Sequence, residues 1–118
     1  MHETIELKTK GYGVYDVTGL VKRIVKERGL QKGVVLVYAR DPYCSIITIE
    51  YEGRLLADFE NLLKGLPGGR EIKSTLFPPS IILPVEKGDI GVGSFQQICL
   101  LDLSGQEGTK RIDVMVIE

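Results

Sequence analysis

The chain has 118 residues, of which 43% are hydrophobic, and 15 Lys plus Arg against 16 Asp plus Glu give a net charge of −1. This length and hydrophobic content predict a single folded domain spanning residues 1–118. A net charge near zero argues against a nucleic-acid or anionic-membrane partner. No apolar run is long enough to span a bilayer and no signal-peptide pattern opens the chain, so we expect a cytoplasmic protein.

The first part of the chain predicts two strands and a helix. Residues 4–8 alternate polar and apolar side chains, which is typical of a half-buried strand. The Gly-Tyr-Gly turn at 11–13 and the short strand at 14–17 favour a hairpin with that first strand. Thr18 is predicted to cap an amphipathic helix, and Gly29 is predicted to end it.

Two strands and a leucine-rich helix are predicted next. Residues 34–39 form a continuous apolar run, which predicts a strand buried on both faces, and residues 46–51 form the following strand. Residues 55–64 carry an apolar stripe at helical spacing that ends at Gly65, and the Leu-Pro-Gly-Gly sequence at 66–69 predicts a loop.

Four more strands are predicted in the remainder, giving the order ββ-α-ββ-α-ββββ with two helices and eight strands. The strand that ends near residue 103 is apolar at successive positions in its second half, which predicts cover on both faces. Short connections favour antiparallel pairing, so we predict an α+β domain with sheets of the β-sandwich type. The four strands are residues 72–77, 80–85, 94–103 and 111–117, with a turn at 87–89 and a polar hairpin loop at 104–110.

The two cysteines, Cys44 and Cys99, both lie in apolar runs, which predicts buried, reduced thiols; a disulfide between them is the minor alternative. Their spacing matches no zinc motif. One asparagine, four glutamines and 26% charged residues favour a thermophilic origin.

Common catalytic motifs are absent from the sequence. The single histidine, His2, is expected at a frayed terminus, and without another histidine no Ser/His/Asp or Cys/His machinery can form. The two-glycine sequences at 11–13 and 91–93 indicate turn geometry more than a phosphate-binding loop.

Three polar clusters are candidate sites: Arg40, Asp41, Tyr43 and Ser45; Arg70, Glu71, Lys73, Ser74 and Thr75; and Ser94, Gln96 and Asp102. In the second cluster, Lys73 with its neighbouring hydroxyls suits a phosphate or carboxylate, although a surface lysine beside an edge strand is the commoner arrangement. In the third, Gln96 either makes an interior hydrogen bond or donates to a ligand, and we expect it to share a strand face with Asp102.

Several short sequences, in order and spacing, resemble the YjbQ family, also called the secondary thiamine-phosphate synthase family. They are Ile-Lys-Ser-Thr-Leu at 72–76, Ile-Leu-Pro-Val-Glu-Lys-Gly at 82–88 and Gly-Ser-Phe-Gln-Gln-Ile at 93–98. The opening is also similar, with Ile-Glu-Leu-Lys-Thr at 5–9 leading to Asp-Val-Thr at 16–18. The resemblance implies an α+β sandwich-like homotrimer, with ligand sites near subunit boundaries where histidines hold a metal or an anionic substrate. It also implies thiamine-phosphate synthase activity.

The sequence departs from the family pattern where those histidines would lie. The family's His-Thr-Thr sequence falls on Asp41 or Pro42, and Glu71 replaces the histidine before Ile-Lys. The polar loop before that position is reduced to residues 67–70, and Phe95 replaces a tryptophan. The carboxylates at 41 and 71 suit a hard cation but cannot replace imidazole as a proton shuttle near neutral pH.

The favoured interpretation is a homotrimer with a degenerate site, which is non-catalytic or binds a small anionic ligand or a partner such as a catalytic paralogue. The alternative is a thiamine-phosphate synthase-type enzyme acting on a phosphorylated substrate. We assign no catalytic residue, metal or cofactor from the sequence. The expected ligand-binding residues are Asp41, Glu71, Lys73, Thr75, Gln96 and Asp102.

Overall fold

The computed structural model of the chain describes residues 2–93 and 95–118. Its strands are β1 (His2–Thr9), β2 (Gly13–Asp16), β3 (Lys32–Ala39), β4 (Cys44–Ile49), β5 (Ser80–Glu86), β6 (Asp89–Ile90), β7 (Gln97–Asp102) and β8 (Gly108–Ile117). They form a five-stranded sheet in the order β1-β8-β3-β5-β6 and a three-stranded sheet in the order β2-β7-β4. Every pairing among these strands is antiparallel, as the short connections predict.

The helical elements are α1 (Thr18–Glu27), α2 (Gly53–Gly65), α3 (Arg70–Lys73) and a 3₁₀ turn (Ser74–Leu76). The start of α1 differs from the predicted cap. The carboxylate of Asp16 accepts the Thr18 N–H at 2.9 Å, whereas the Thr18 hydroxyl bonds to the backbone of Ile98 in β7. At α2, the side chain of Glu52 caps the helix by accepting the N–H groups of Arg54 and Leu55.

The main core lies between the larger sheet, α1 and one face of the smaller sheet. Strand residues at alternate positions point into it because successive side chains in a strand face opposite sides. Residues three and four apart on α1 reach it from the helix. Members that are less than 2% exposed include Val21 and Ile24 of α1, Val35 of β3, Leu100 of β7 and Ile112 of β8.

A smaller core lies on the opposite face of the three-stranded sheet, where α2 packs. Leu63 of α2 is buried there with Cys99 and Leu101 of β7. Because Leu100 points into the main core on the other side, β7 is covered on both faces. This confirms the double cover predicted from its continuous apolar sequence.

The predicted strand at residues 72–77 is wrong, because this segment is α3 followed by the 3₁₀ turn. The carbonyl of Gly69 accepts the N–H groups of Ile72 and Lys73 at 3.2 and 3.0 Å, which starts a helical turn. The described residues therefore contain three α-helices instead of two.

The predicted N-terminal hairpin is also wrong. β1 pairs with β8 in the larger sheet, and β2 pairs with β7 in the smaller one. Gly11 and Gly13, with φ of 91° and 125°, turn the chain from one sheet to the other. The strand count stays at eight because β6 forms where part of the turn at 87–89 was predicted.

None of the helices in the described residues combines the length and the apolar character required to cross a lipid bilayer.

Candidate functional site

A polar cavity of about 380 Å³ lies where the start of β4, the β7–β8 loop and α3 meet. Its walls are residues 41–43, Arg70, Ser104 and residues 106–110. The cavity therefore joins two of the polar clusters seen in the sequence, the first around Asp41 and the second around Arg70. The volume lies within the range of about 300–1,000 Å³ that is typical of small-molecule sites.

Asp41 lines the cavity but is bound to β8. One carboxylate oxygen accepts the backbone N–H of Arg111 at 2.6 Å, and the other lies 3.5 Å from the Arg111 guanidinium. The side chain is 15% exposed. Its two oxygens are therefore committed to charge-assisted contacts that fix the entry to β4 against β8.

Arg70 spans the rim of the cavity. Its guanidinium lies 4.4 Å from the centre of the Tyr43 ring and donates a hydrogen bond to the backbone carbonyl of Ser104. A third contact joins its Nε to Glu71 at 3.2 Å. Tyr43 itself has a φ of 63°, a left-handed conformation that costs a residue with a side chain about 1–3 kcal/mol and that recurs at functional sites.

A buried ion pair between Asp102 and Lys110 lies next to the cavity wall. Asp102 is 0% exposed and accepts hydrogen bonds from the Thr9 hydroxyl at 2.6 Å and the Ser104 N–H at 2.8 Å. The Lys110 ammonium lies 3.5 Å from the carboxylate oxygen that accepts the Thr9 hydroxyl. Burial alone would raise the pKa of Asp102, but these hydrogen bonds and the ammonium outweigh it and lower that pKa below its ordinary value.

Lys110 links this ion pair to the cavity wall. Its ammonium donates to the Gln106 carbonyl at 2.6 Å and approaches the Thr9 hydroxyl at 3.4 Å. The sequence pattern predicts that Lys110 lies in a polar loop and indicates no role for Thr9 at a site. The alternation of side chains along a strand could have indicated the burial of Lys110, because it shares the inward-facing positions of β8 with Ile112 and Val114.

Cys44 lies beside the same carboxylate, with its sulfur 3.5 Å from Asp102. Burial, and then the charge of Asp102, raise the pKa of the Cys44 thiol to about 12. Burial likewise raises the pKa of Cys99 to about 12. Both cysteines are buried and free, so the prediction of reduced thiols is confirmed, and neither is a nucleophile at neutral pH.

The other residues proposed from the second cluster lie outside the cavity wall. Glu71 pairs with Arg70 but is 64% exposed; a hydrogen bond from its own N–H and the Arg70 guanidinium lower its pKa. The hydroxyl of Thr75 donates to the Ile72 carbonyl at 2.6 Å, within its own helical segment. Lys73 is the last residue of α3, in the segment that the sequence predicts as a strand.

Gln96 is separated from Asp102 in this chain. It precedes β7, and its backbone N–H donates to the Gly93 carbonyl in a turn. Asp102 ends β7, so the strand places the two residues about 17–20 Å apart at a rise of about 3.3 Å per residue. Ser94, the remaining member of the third cluster, lies outside the described residues.

His2 is the first residue of β1, where its ring nitrogen lies 3.2 Å from Asp113, so the expected fraying at this residue is not observed. It does not line the cavity. Across residues 2–93 and 95–118, no group of three His, Cys, Asp or Glu side chains is arranged to hold a metal ion.

Comparison with known proteins places these features in a family. The sequence model of the family described as "UPF0047 protein YjbQ-like" matches residues 3–118. A UPF0047 protein of Archaeoglobus fulgidus is 31% identical, and the alignment covers 96% of this chain and 98% of that protein. A UPF0047 protein of Methanothermobacter thermautotrophicus is 28% identical, with coverage of 86% and 80%.

Solved structures share the fold. A YbjQ-like protein of unknown function from Sulfolobus solfataricus superposes with a TM-score of 0.87 at 20% identity, covering 98% of this chain and 95% of that one. An uncharacterised conserved protein of the YjbQ/UPF0047 family from Clostridium acetobutylicum gives a TM-score of 0.89 at 21% identity, covering 98% and 99%. The match of the family model over nearly the whole sequence, together with the relative in Archaeoglobus, shows that this chain belongs to the YjbQ/UPF0047 family.

Proposed function

We propose that this chain is a non-catalytic member of its family that binds a small anionic ligand in the cavity between Asp41, Arg70 and Lys110. The observation that carries the proposal is the Arg70 guanidinium at the rim of a polar cavity of about 380 Å³. A planar guanidinium pairs with the oxygens of phosphate or carboxylate in a two-point geometry. Its present carboxylate partner, Glu71, is exposed, so a ligand can replace it at little cost in buried charge.

The state of the acids and the thiol argues against catalysis. A general base needs a pKa near the working pH and access to the substrate proton. Both oxygens of Asp41 contact Arg111, and the carboxylate of Asp102 is buried among donors that keep it ionised. The Cys44 thiol has a pKa of about 12, which removes the nearest candidate nucleophile.

Titration calorimetry with thiamine monophosphate and with inorganic phosphate tests the binding role, and a thiamine-phosphate synthase assay tests for turnover. We expect saturable binding of at least one probe, about tenfold weaker binding by Arg70→Gln, and no turnover. Arg54→Gln is the matched control, because Arg54 is an arginine in the first turn of α2 that does not line the cavity. Robust turnover would establish the synthase-type alternative, and failure of both probes to bind would overturn the anion-binding role.

We also propose that the chain assembles as a homotrimer. The outward face of the five-stranded sheet carries an apolar strip, in which Leu36 of β3 lies directly between Ile82 of β5 and Met115 of β8. Ile82 is 64% exposed, and Ile117 on the same face is 50% exposed. Contiguous exposed apolar side chains of this kind are typical of surfaces that are covered by another chain.

Sedimentation equilibrium tests the assembly. We expect a mass close to three times the chain mass of 13.1 kDa, and dissociation when Ile82→Glu places a charge in the strip. A wild-type protein that sediments as a monomer would refute the trimer.

A further inference from the structure

We propose that residues 67–76, called here the strap, open and close over the cavity, and that Arg70 is the latch that holds them closed. The strap contains α3 and the 3₁₀ turn. Of its residues, only Arg70 lines the cavity. A single side chain therefore connects this segment to the candidate site.

The strap has no core of its own. Neither α3 nor the 3₁₀ turn contains a buried residue, and the largest apolar side chains, Ile72 and Leu76, are 60% and 59% exposed. A four-residue helix is not stable in isolation, because nucleation costs more than one turn returns. The closed position thus depends on the contacts at the two ends of the strap and on Arg70.

The chain on either side of the strap is well anchored. After it, the Phe77 ring packs edge-on against Phe59 of α2 at 5.9 Å, and the Pro78 carbonyl accepts the Ile46 N–H at 3.1 Å. Before it, Leu66 packs against the smaller core. Gly68, with a φ of 95°, lies just inside the first anchor, where glycine permits backbone rotation that other residues resist. Motion is therefore confined to the segment between the anchors.

The groups that Arg70 grips are fixed, as a latch requires. The Ser104 carbonyl belongs to a residue whose N–H is bound by the buried Asp102 at 2.8 Å. Tyr43 lies two residues after Asp41, which is bound to β8, and its own carbonyl accepts the Leu103 N–H at 3.0 Å. Arg70 itself is 39% exposed, so its own contacts face water and can exchange. In the contacts with Ser104 and Tyr43, one partner is fixed in the body of the fold and the other belongs to the strap, which makes opening a local event.

The consequence for binding rests on the proposed function. An anion that enters the cavity competes with the Ser104 carbonyl for the Arg70 guanidinium, so opening and ligand entry share one side chain. Opening of the strap in the free protein does not depend on any ligand. The two proposals therefore fail separately.

Hydrogen–deuterium exchange of the ligand-free full chain tests the latch. In Arg70→Gln we expect the strap amides, including those of Ile72 and Lys73, to exchange about tenfold faster than in the wild type. The central β7 amides are expected to exchange at the wild-type rate. Arg54→Gln, an exposed arginine in the adjacent helix, is expected to leave both regions unchanged.

Arg70→Lys separates the contacts of the latch. Lysine keeps a cation for the Tyr43 ring but lacks the planar guanidinium. We therefore expect the strap amides to exchange at a rate intermediate between those of the wild type and Arg70→Gln. Unchanged strap exchange in Arg70→Gln would overturn the proposal. Equal acceleration of the strap and β7 would also overturn it, because Arg70 would then support the whole fold and not a local closure.

Discussion

Replacing Lys110 by methionine tests the buried ion pair that supports the cavity. The substitution keeps the length and apolar stem of a side chain that is 8% exposed, but leaves the fully buried Asp102 carboxylate without its ammonium. Removing one partner of a buried pair costs about 3–5 kcal/mol, because the remaining charge is no longer compensated. A domain of this size has a total stability of about 6–18 kcal/mol, so the loss is large but leaves a folded protein to measure.

Urea unfolding followed by circular dichroism at pH 7 measures this loss. With a slope of about 1.5 kcal/mol per molar urea, a loss of about 3 kcal/mol lowers the midpoint by about 2 M. Lys26→Met, at an exposed position of α1, is the matched control and should change stability by less than about 0.5 kcal/mol.

The double variant Asp102→Asn/Lys110→Met separates lost charge compensation from lost packing. Asparagine is uncharged and keeps an acceptor oxygen for Thr9 or Ser104. We expect the double variant to lose less unfolding free energy than the sum of the two single losses, by at least about 1 kcal/mol. Additive effects, or a Lys110→Met protein within about 1 kcal/mol of the wild type, would refute the buried-charge reasoning.

Three further predictions concern acid, thiol chemistry and a tight turn. The pKa of Asp102 is lower in the folded protein than in the unfolded chain, so its carboxylate stabilises the fold fully above its ordinary pKa of about 3.9. This stabilisation is lost as pH falls through the folded pKa. The difference in unfolding free energy between the wild type and Asp102→Asn should therefore shrink below about pH 4 in acid unfolding. Since both thiols are buried with pKa values of about 12, Ellman's reagent at pH 8 should label neither Cys44 nor Cys99 until denaturant is added, and rapid labelling of either in the native protein would contradict their burial. Gly11→Ala should destabilise by about 2 kcal/mol or more in urea titrations, since its Cβ would lie 2.8 Å from the backbone of Gln106 at a φ of 91°, and a neutral effect would show that the β7–β8 loop yields freely.

The parts of the fold that the sequence predicts well are those set by local periodicity. The α1 stripe and the continuous apolar run of β7 follow from helical spacing and from burial on both faces, and the structure contains both. Segment 72–77 shows the limit of that reasoning. Its Ile72, Ser74 and Leu76 have the spacing of a strand, but the segment forms α3 and a 3₁₀ turn and pairs with neither sheet. Sheet membership is a long-range property that a six-residue pattern does not carry.

The candidate site was predictable only in part, because its contacts join distant positions. Asp41 and Arg70 stood out as polar residues beside strand or loop boundaries. The support from Thr9 and Lys110 depends on pairing between β1 and β8. The cavity wall also depends on the Gly105 N–H, which donates to the Gly11 carbonyl at 2.7 Å. None of these pairings is encoded in a short motif.

In the proposed function, Arg70 recognises an anion at a cavity that performs no chemistry. Nuclear magnetic resonance of protein labelled at arginine side chains, titrated with inorganic phosphate, measures this role of Arg70. We expect a saturable shift of the Arg70 Nε–Hε signal together with the Ser104 amide, and no comparable shift at Arg54. Shifts of similar size across the surface arginines, or none at Arg70 while phosphate binds elsewhere, would contradict it.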